Sequence, residues 1–453
     1  MRQRSNRVRT ILITAALVLS GWVAGPSKLV TAVSASPIQH VVIIYQENHT
    51  FDNVLGRLCV IDSRCNGAET GKISTGAIIP LSTATDKVAH VAHNHSWQVM
   101  AVDGGLMDHF DLIGGCGAPA YACMSQYDPS QIPNLAALAR RFAISDATFQ
   151  LDLAASWGTH LEIVTGTSDG FVGTIPNGGP AGTVFGQGWG CDSNRYAWWR
   201  PATGGPGQSV PACVPFPDGT GAVAPTPVKW VPTLMDRLDQ VNLTYTLYAG
   251  SPPAMPGVAY QPGGYQWSIC PTFADCGETT QKGHVVPASQ VITDAQNGLL
   301  PNVSIVTPIA ANSQHNTDSM LAGDNWIGSI VSAIENGPDW SSTAIFISYD
   351  DCGCFYDHVS PPKGLGPRIP VVIVSPYAIS GYTDSNVATP ASFLAFVNHT
   401  FGLTPLGPRD SAAYDFGASF NYAQANLSVE RMRYSVVPAS FGAVPDADPD
   451  DLT

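Results

Sequence analysis

Ala344-Ile345-Phe346-Ile347-Ser348-Tyr349-Asp350-Asp351-Cys352-Gly353-Cys354-Phe355-Tyr356-Asp357-His358-Val359 is the stretch from which the fold is read. Ala344 to Ser348 is a short apolar run with a β-branched bias, the pattern of a strand buried on both faces. It stops at Asp350 and Asp351, then passes through a glycine and an aromatic pair to Asp357-His358. In an open α/β sheet, carboxylates just past a strand end sit where ligands bind. Two adjacent acids with no Lys or Arg nearby repel each other unless a cation lies between them. The bland alternative is a solvated turn, because Asp and Gly are common turn formers.

The same arrangement recurs along the chain. His40-Val-Val-Ile-Ile-Tyr45 reads as a buried strand and leads directly into Gln46-Glu47-Asn48-His49-Thr50-Phe51-Asp52. Ala143 to Phe149 reads as a strand, followed by Ser156-Trp157-Gly158-Thr159-His160 and an apolar stretch of helical spacing, Leu161 to Thr165. Pro301 to Val306 is a further strand, followed by Gln314-His315, and Arg368 to Val374 another. Helices are expected from His95 to about Ala101, over Ile132–Phe142, over Asn325–Asn336 and over Thr389–Phe401. This order predicts an α/β fold: a mainly parallel sheet with helices on both faces.

Composition narrows the setting. Arg2, Arg4, Arg7 and Arg9 precede an apolar run from Thr10 to Ala24 and the small residues Val33-Ser34-Ala35. That is the pattern of a secretory signal peptide over residues 1–35, too short for a comfortable membrane span. No later stretch is long and apolar enough for stable membrane insertion. Its removal takes away those four Arg and Lys28, and the formal charge goes from −14 to −19. So acidic a chain lacks the basic patches that nucleic acid requires. Ten cysteines fall into the local pairs Cys59/Cys65, Cys116/Cys123, Cys191/Cys213, Cys270/Cys276 and Cys352/Cys354. In an exported protein these spacings favour disulfides. Cys352-Gly353-Cys354 is the tightest ring and the least favoured.

Residues 36–443 are expected to form one domain, with a cap inserted at about 168–300 and an acidic tail at 444–453. Gly, Pro and Trp accumulate in the cap, and only Lys229 to Tyr248 looks regular: a helix near Leu234–Leu238, then a strand from Thr244. Its aromatic residues, Trp189, Tyr196, Trp198, Trp199, Trp230, Tyr260, Tyr265 and Trp267, read equally as a small pinned core or as a cleft lining. In a parallel sheet the strand ends share one edge, so Glu47, Asn48, Ser156, His315, Asp350 and Asp351 can meet. Three carboxylates and an amide oxygen suit Mg²⁺, Mn²⁺ or Ca²⁺, and Zn²⁺ where a His joins.

Glu47-Asn48-His49-Thr50-Phe51-Asp52 resembles the Glu-Asn-Arg-Ser-Phe-Asp signature of the bacterial phosphoesterase family that includes phospholipase C and acid phosphatase A. Tyr349 to Val359 resembles that family's Trp-Asp-Glu-x-Gly-Gly-Phe-Tyr-Asp-His-Val block. Pro367-Arg368-Ile369-Pro370 through Ser375-Pro376 is similar to its Phe-Arg-Val-Pro-x-x-x-x-Ser-Pro segment. The blocks occur in order over residues 40 to 404. The resemblance implies an alkaline-phosphatase-like fold, a metal-activated hydroxyl nucleophile and a phosphate-ester or phospholipid substrate. It makes Glu47, Asn48, Asp350 and Asp351 metal ligands and Ser156 the nucleophile, with Thr159 as its rival. His95 and His315 match positions where the family places histidines near the scissile group, and Asp357-His358 would orient the ligands. The sequence also departs from the pattern: Gly158-Thr159-His160 stands for Pro-Asn-Arg, so His160 would offer the phosphate a smaller positive group. Asp351 replaces Glu, Cys354 replaces Gly, and Thr389-Pro390-Ala391-Ser392 lacks an expected His. Two other readings remain: a catalytically silent binding protein on the same scaffold, and a carboxylester hydrolase, which the missing Gly-x-Ser-x-Gly elbow disfavours. His90, His93, His109, His284 and His399 read as structural.

Overall fold

Alternation along the strands divides the core in two. On β1 (His40–Gln46), Val42 and Ile44 join one apolar layer while Val41, Ile43 and Tyr45 join the other. The computed structural model describes residues 36–186, 188–201, 205–249 and 264–435. The expected signal peptide, the acidic tail and Tyr260 lie outside those residues.

The remaining strands of the central sheet, in chain order, are β2 (Ala143–Ser145), β3 (Tyr245–Ala249), β4 (Val285–Pro287), β5 (Val303–Val306), β6 (Thr343–Tyr349), β7 (Val371–Val374) and β8 (Thr383–Asp384). They lie in the order β4-β3-β5-β1-β6-β7-β2-β8. Only β7 runs against its neighbours; every other pairing is parallel. Ile345 and Ile347 of β6 and Val372 and Val374 of β7 face the first layer; Phe346 and Ile373 face the second. Both faces are apolar because both are covered.

The covering helices are α1 (His95–Val102), α2 (Pro133–Arg141), α3 (Ser156–Thr165), α4 (Leu234–Gln240), α5 (Met320–Glu335) and α6 (Pro390–Phe401). Residues of α2 and α5 fill the first layer, and residues of α3, α4 and α6 the second. The α2 helix starts with Pro133 and ends with Arg140-Arg141, as the helix dipole favours. The Asp324 carboxylate on α5 accepts the N–H groups of Asn134 and Leu135 at 3.0 and 2.8 Å, which ties the two helices together. The α3 helix stops at Gly166 in the left-handed conformation (φ 70°).

Several boundaries differ from the sequence expectation: α5 starts at Met320 rather than Asn325, with Ser319 as its N-cap, and β7 starts at Val371 rather than Arg368. The 143–149 strand ends at Ser145, since Thr148 and Phe149 make isolated bridges to Ala388 and Arg368 instead. The α3 helix begins at Ser156 rather than Leu161. The 168–300 stretch divides: β3 and β4 belong to the central sheet, α4 and a helix over Gln290–Asn297 pack on it, and much of the remaining described chain is an irregular layer containing the Cys191–Cys213 and Cys270–Cys276 bridges. All ten cysteines are paired as the spacing suggested, Cys352–Cys354 included. No helix among the described residues is long and apolar enough to cross a membrane.

Candidate active site

Register builds the site. β1 and β6 pair from His40↔Thr343 to Gln46↔Tyr349, so Glu47-Asn48 and Asp350-Asp351 leave the sheet side by side. The pairing carries past the strand ends, with Asp350 N donating to the Gln46 carbonyl at 2.9 Å. Asn48 takes the left-handed conformation (φ 61°), which Asn tolerates better than most residues. Its backbone N–H donates to Asp350 Oδ1 at 2.7 Å, and Asp351 N donates to the same oxygen at 2.6 Å. Gly353 N donates to Asp351 Oδ1 at 2.7 Å. Gly353 is required there: its φ is 58°, and a Cβ would lie 1.9 Å from the Asn48 carbonyl oxygen.

Ser156 is the first residue of α3, and Ala155 is the N-cap. The Ser156 hydroxyl is thus not spent on capping; it donates to Asn48 Oδ1 at 3.2 Å. Thr159 Oγ1 turns back to the Ser156 carbonyl at 2.9 Å. One turn further on, His160 Nε2 lies 2.9 Å from Glu47 Oε1, while its Nδ1 meets the Trp267 carbonyl at 2.8 Å. Glu47, His160 and Asp350 hold ligand atoms within 4.8 Å of one another, all buried.

Carbonyls set the histidine tautomers. A carbonyl only accepts, so Nδ1 carries the proton in His160, in His93 (Val91 carbonyl, 2.8 Å), in His315 (Asn316 carbonyl, 2.9 Å) and in His95 (Leu153 carbonyl, 2.6 Å). A ring in this tautomer with no second proton presents a lone pair at Nε2. Two of these histidines face Asn48. The Asn48 amide nitrogen lies 3.4 Å from His93 Nε2, and its oxygen then meets Ser156 and the two aspartates. Turned over, the amide N–H₂ reaches Ser156 Oγ, Asp350 Oδ1 and Asp351 Oδ1, each at 3.2 Å, and the oxygen lies 2.6 Å from His315 Nε2. The first orientation leaves oxygen facing oxygen and calls for a cation. The second calls for a proton on His315 Nε2.

The cluster's charge points the same way. Burial pushes the Asp350 carboxyl up to about 7, with the Glu47 charge adding to it. Burial, then the Asp350 charge, raises Asp351. Burial pushes His160 down to about 4. Carboxylates in so dry a place resist ionising together unless a positive charge joins them. Asp351 Oδ2 is buried without a hydrogen-bond partner among the described residues. Three carboxylates, an amide oxygen and an imidazole lone pair are a donor set that fits a divalent cation.

The other candidates fall in different places. His95 opens α1 and lines a neighbouring groove of about 690 Å³ with Val99, Leu153, Phe171, Arg200 and Lys363. His93, read as structural from the sequence, is the histidine that reaches Asn48; the His93-Asn94-His95 spacing offered both. Asp357 and His358 surround the buried Arg368, which donates to Asp357 Oδ1 at 2.9 Å and Asp52 Oδ1 at 3.1 Å. His358 Nδ1 lies 2.5 Å from Asp52 Oδ2. One buried guanidinium pairs with both acids, and this group braces the Glu47 loop. Of the cap aromatics, Trp189 and Tyr265 are buried in the second layer and Trp198 is 49% exposed. Trp267 lies nearly parallel to the rings of His160 and His315.

A family model described as "Phosphoesterase family" matches residues 38–404. The non-hemolytic phospholipase C of Burkholderia pseudomallei (strain K96243) is 24% identical over 450 residues, covering 86% of this chain and 60% of that protein. Phospholipase C A of Mycobacterium tuberculosis (strain CDC 1551 / Oshkosh) is 22% identical over 455 residues, covering 85% of this chain and 78% of that protein. This chain therefore spans less than two thirds of the length of the first of these. A solved structure of a protein in the alkaline phosphatase superfamily from Vibrio parahaemolyticus covers 83% of this chain and 71% of its own, at 13% identity and a TM-score of 0.37.

Proposed function

This chain belongs to the Phosphoesterase family, and on that premise we propose that it is an exported, metal-dependent hydrolase of phosphate esters with Ser156 as its nucleophile. One observation carries the reading: the Ser156 hydroxyl, free of capping duty, lies 3.2 Å from an Asn48 amide ringed by Glu47, Asp350, Asp351 and His160. Glu47, Asn48, Asp350, Asp351 and His160 would hold the cation, so His160 serves as a ligand rather than as a phosphate contact. When bound, a divalent cation lowers the pKa of a nearby hydroxyl and offsets phosphoryl charge. With imidazole in the set, Zn²⁺ and Mn²⁺ join Mg²⁺ and Ca²⁺ as candidates.

Ser156 Oγ gives up its proton, which a carboxylate of the cluster would accept, and forms the bond to phosphorus while the bond from phosphorus to the leaving alcohol breaks and that alcohol takes up a proton. The start of α3 favours the negative charge that gathers there. His315 Nε2 lies beside the Asn48 amide, and with a second proton on that nitrogen the ring would pass it to the leaving oxygen. Water then frees phosphate from Ser156. The groove lined by His95, Leu153, Phe171, Arg200 and Lys363 begins two residues from Ser156, at Ala154, and combines apolar walls with two cations and one acid, Asp152. It suits the leaving group of an amphiphilic ester, so phosphatidylcholine belongs among the test substrates, as the relatives' names also suggest. Five disulfides fit an exported protein.

The test is hydrolysis by purified protein supplied with Mn²⁺, Mg²⁺, Ca²⁺ or Zn²⁺. Aryl phosphates, phosphodiesters and phosphatidylcholine are offered in turn; no release from any of them overturns the proposal. A silent binding scaffold is the second reading. It is favoured by the turned-over Asn48 amide, which pairs with Ser156, Asp350 and Asp351 without a cation. Protein that carries no metal after purification and takes up none would select it.

A further inference from the structure

Trp267 comes from the irregular layer, yet it is 1% exposed and joins the catalytic cluster in two ways. Its carbonyl accepts the Nδ1–H of His160. Its indole plane lies within 18° of the His160 ring and 19° of the His315 ring, at centroid separations of 6.4 and 6.3 Å. The indole N–H has no hydrogen-bond partner among the described residues. Buried polar groups nearly always have one. Trp157 donates to Thr272 Oγ1 at 3.0 Å, and Trp199 to the Asp169 carbonyl at 2.8 Å. Trp340 also leaves its N–H without a partner, but it packs on Phe142 in the opposite layer of the core.

An indole N–H only donates, so what completes it must be an acceptor. The incoming phosphoryl group is rich in acceptors and short of donors. His160 cannot supply one, because Trp267 and Glu47 engage both of its nitrogens. Resting on the phosphoester reading above, we propose that Trp267 is a specificity-determining residue whose indole N–H donates to a non-bridging oxygen of the bound phosphoryl group. A neutral donor of this kind favours a compact tetrahedral oxyanion over a neutral ester carbonyl, since hydrogen bonds to ionised acceptors are the stronger ones.

Trp267→Phe keeps the ring and the backbone carbonyl and deletes only the N–H. Inorganic phosphate, titrated calorimetrically into the full chain supplied with Zn²⁺, is expected to bind the variant roughly tenfold more weakly. Metal content by elemental analysis should stay the same, which a merely structural role would not guarantee. Unchanged phosphate affinity in a folded, metal-bearing variant overturns the inference. The wild type provides a second measurement in case the variant does not fold. With ¹⁵N-labelled tryptophan, one indole N–H signal should move downfield on phosphate addition, and a spectrum in which none moves overturns the inference as well. A wild type that hydrolyses no phosphate ester, yet shows the indole shift, removes the phosphoesterase reading and leaves the Trp267–phosphate contact standing.

Discussion

His160 Nε2 lies 2.9 Å from Glu47 Oε1, and both side chains are buried. The other nitrogen of the ring donates to the Trp267 carbonyl. A neutral imidazole in that setting turns its lone pair toward a carboxylate, and two acceptors at that distance need a proton or a cation to hold them. Burial disfavours the proton on His160, which it pushes down to about 4. The contact then needs a proton on Glu47 or, on the proposed reading, a cation shared with Asp350.

Glu47→Gln and His160→Ala should therefore each weaken metal binding by roughly 10–100-fold. Elemental analysis after dialysis against graded chelator reads this directly. Wild-type metal retention in both variants would mean that the cation, if any, sits elsewhere.

Ser156 and Thr159 are separated by their hydrogen bonds. Thr159 is committed to the helix carbonyl of Ser156, whereas Ser156 points at Asn48. Ser156→Ala is expected to lower kcat by at least roughly 1,000-fold. Thr159→Val should stay within about tenfold of wild type, since it loses one local bond. Steady-state rates on an aryl phosphate check both, and a dead Thr159→Val beside an active Ser156→Ala would reverse the assignment.

How much of this could be read in advance follows from what is local. The apolar runs at 40–45 and 343–348 gave β1 and β6, and a parallel arrangement alone implied that Glu47 and Asp350 share an edge. The choice between His93 and His95 depended on which one faces Asn48, a matter of loop path that neither spacing nor residue type encodes. His160 looked like a substitute for an arginine, but the α3 helix begins at Ser156, and that phase carries His160 to Glu47. Trp267 was one aromatic among eight. Its place beside two histidines comes from the fold of an irregular layer with no periodicity to read. Asp324 capping α2 across the core was equally invisible, because its partners lie about 190 residues away.

Arg368 gathers three sequence blocks at one point. Its guanidinium donates to Asp52, just past the Glu47 loop, to Asp357 after β6, and to the carbonyls of Asn66 and Asp146. Arg368→Met would strand two buried carboxylates and should cost about 3–5 kcal/mol in urea unfolding. Adding Asp52→Asn and Asp357→Asn to it should recover much of the loss, because the uncompensated charges go with them. A single variant as stable as wild type would show that these acids are neutral in the fold.

Glu335 offers a pH-dependent prediction away from the metal cluster. It ends α5, it is 2% exposed, and burial pushes its carboxyl from the ordinary 4.5 up to about 7. The Glu430 N–H, at 2.8 Å, and Arg141 offset only part of that. A carboxyl whose folded pKa is raised binds its proton more tightly in the folded state. Its favourable contribution is thus complete below pH 4.5 and is lost as pH rises through 7. Glu335→Gln keeps the acceptor for Glu430 and removes the charge. The variant should match wild type near pH 4 and exceed it by on the order of 2 kcal/mol at pH 8. Paired melting curves at the two pH values measure the difference, and the other buried acids cancel because both proteins carry them. An equal Tm gap at pH 4 and pH 8 would mean that Glu335 does not titrate in the folded state within this range.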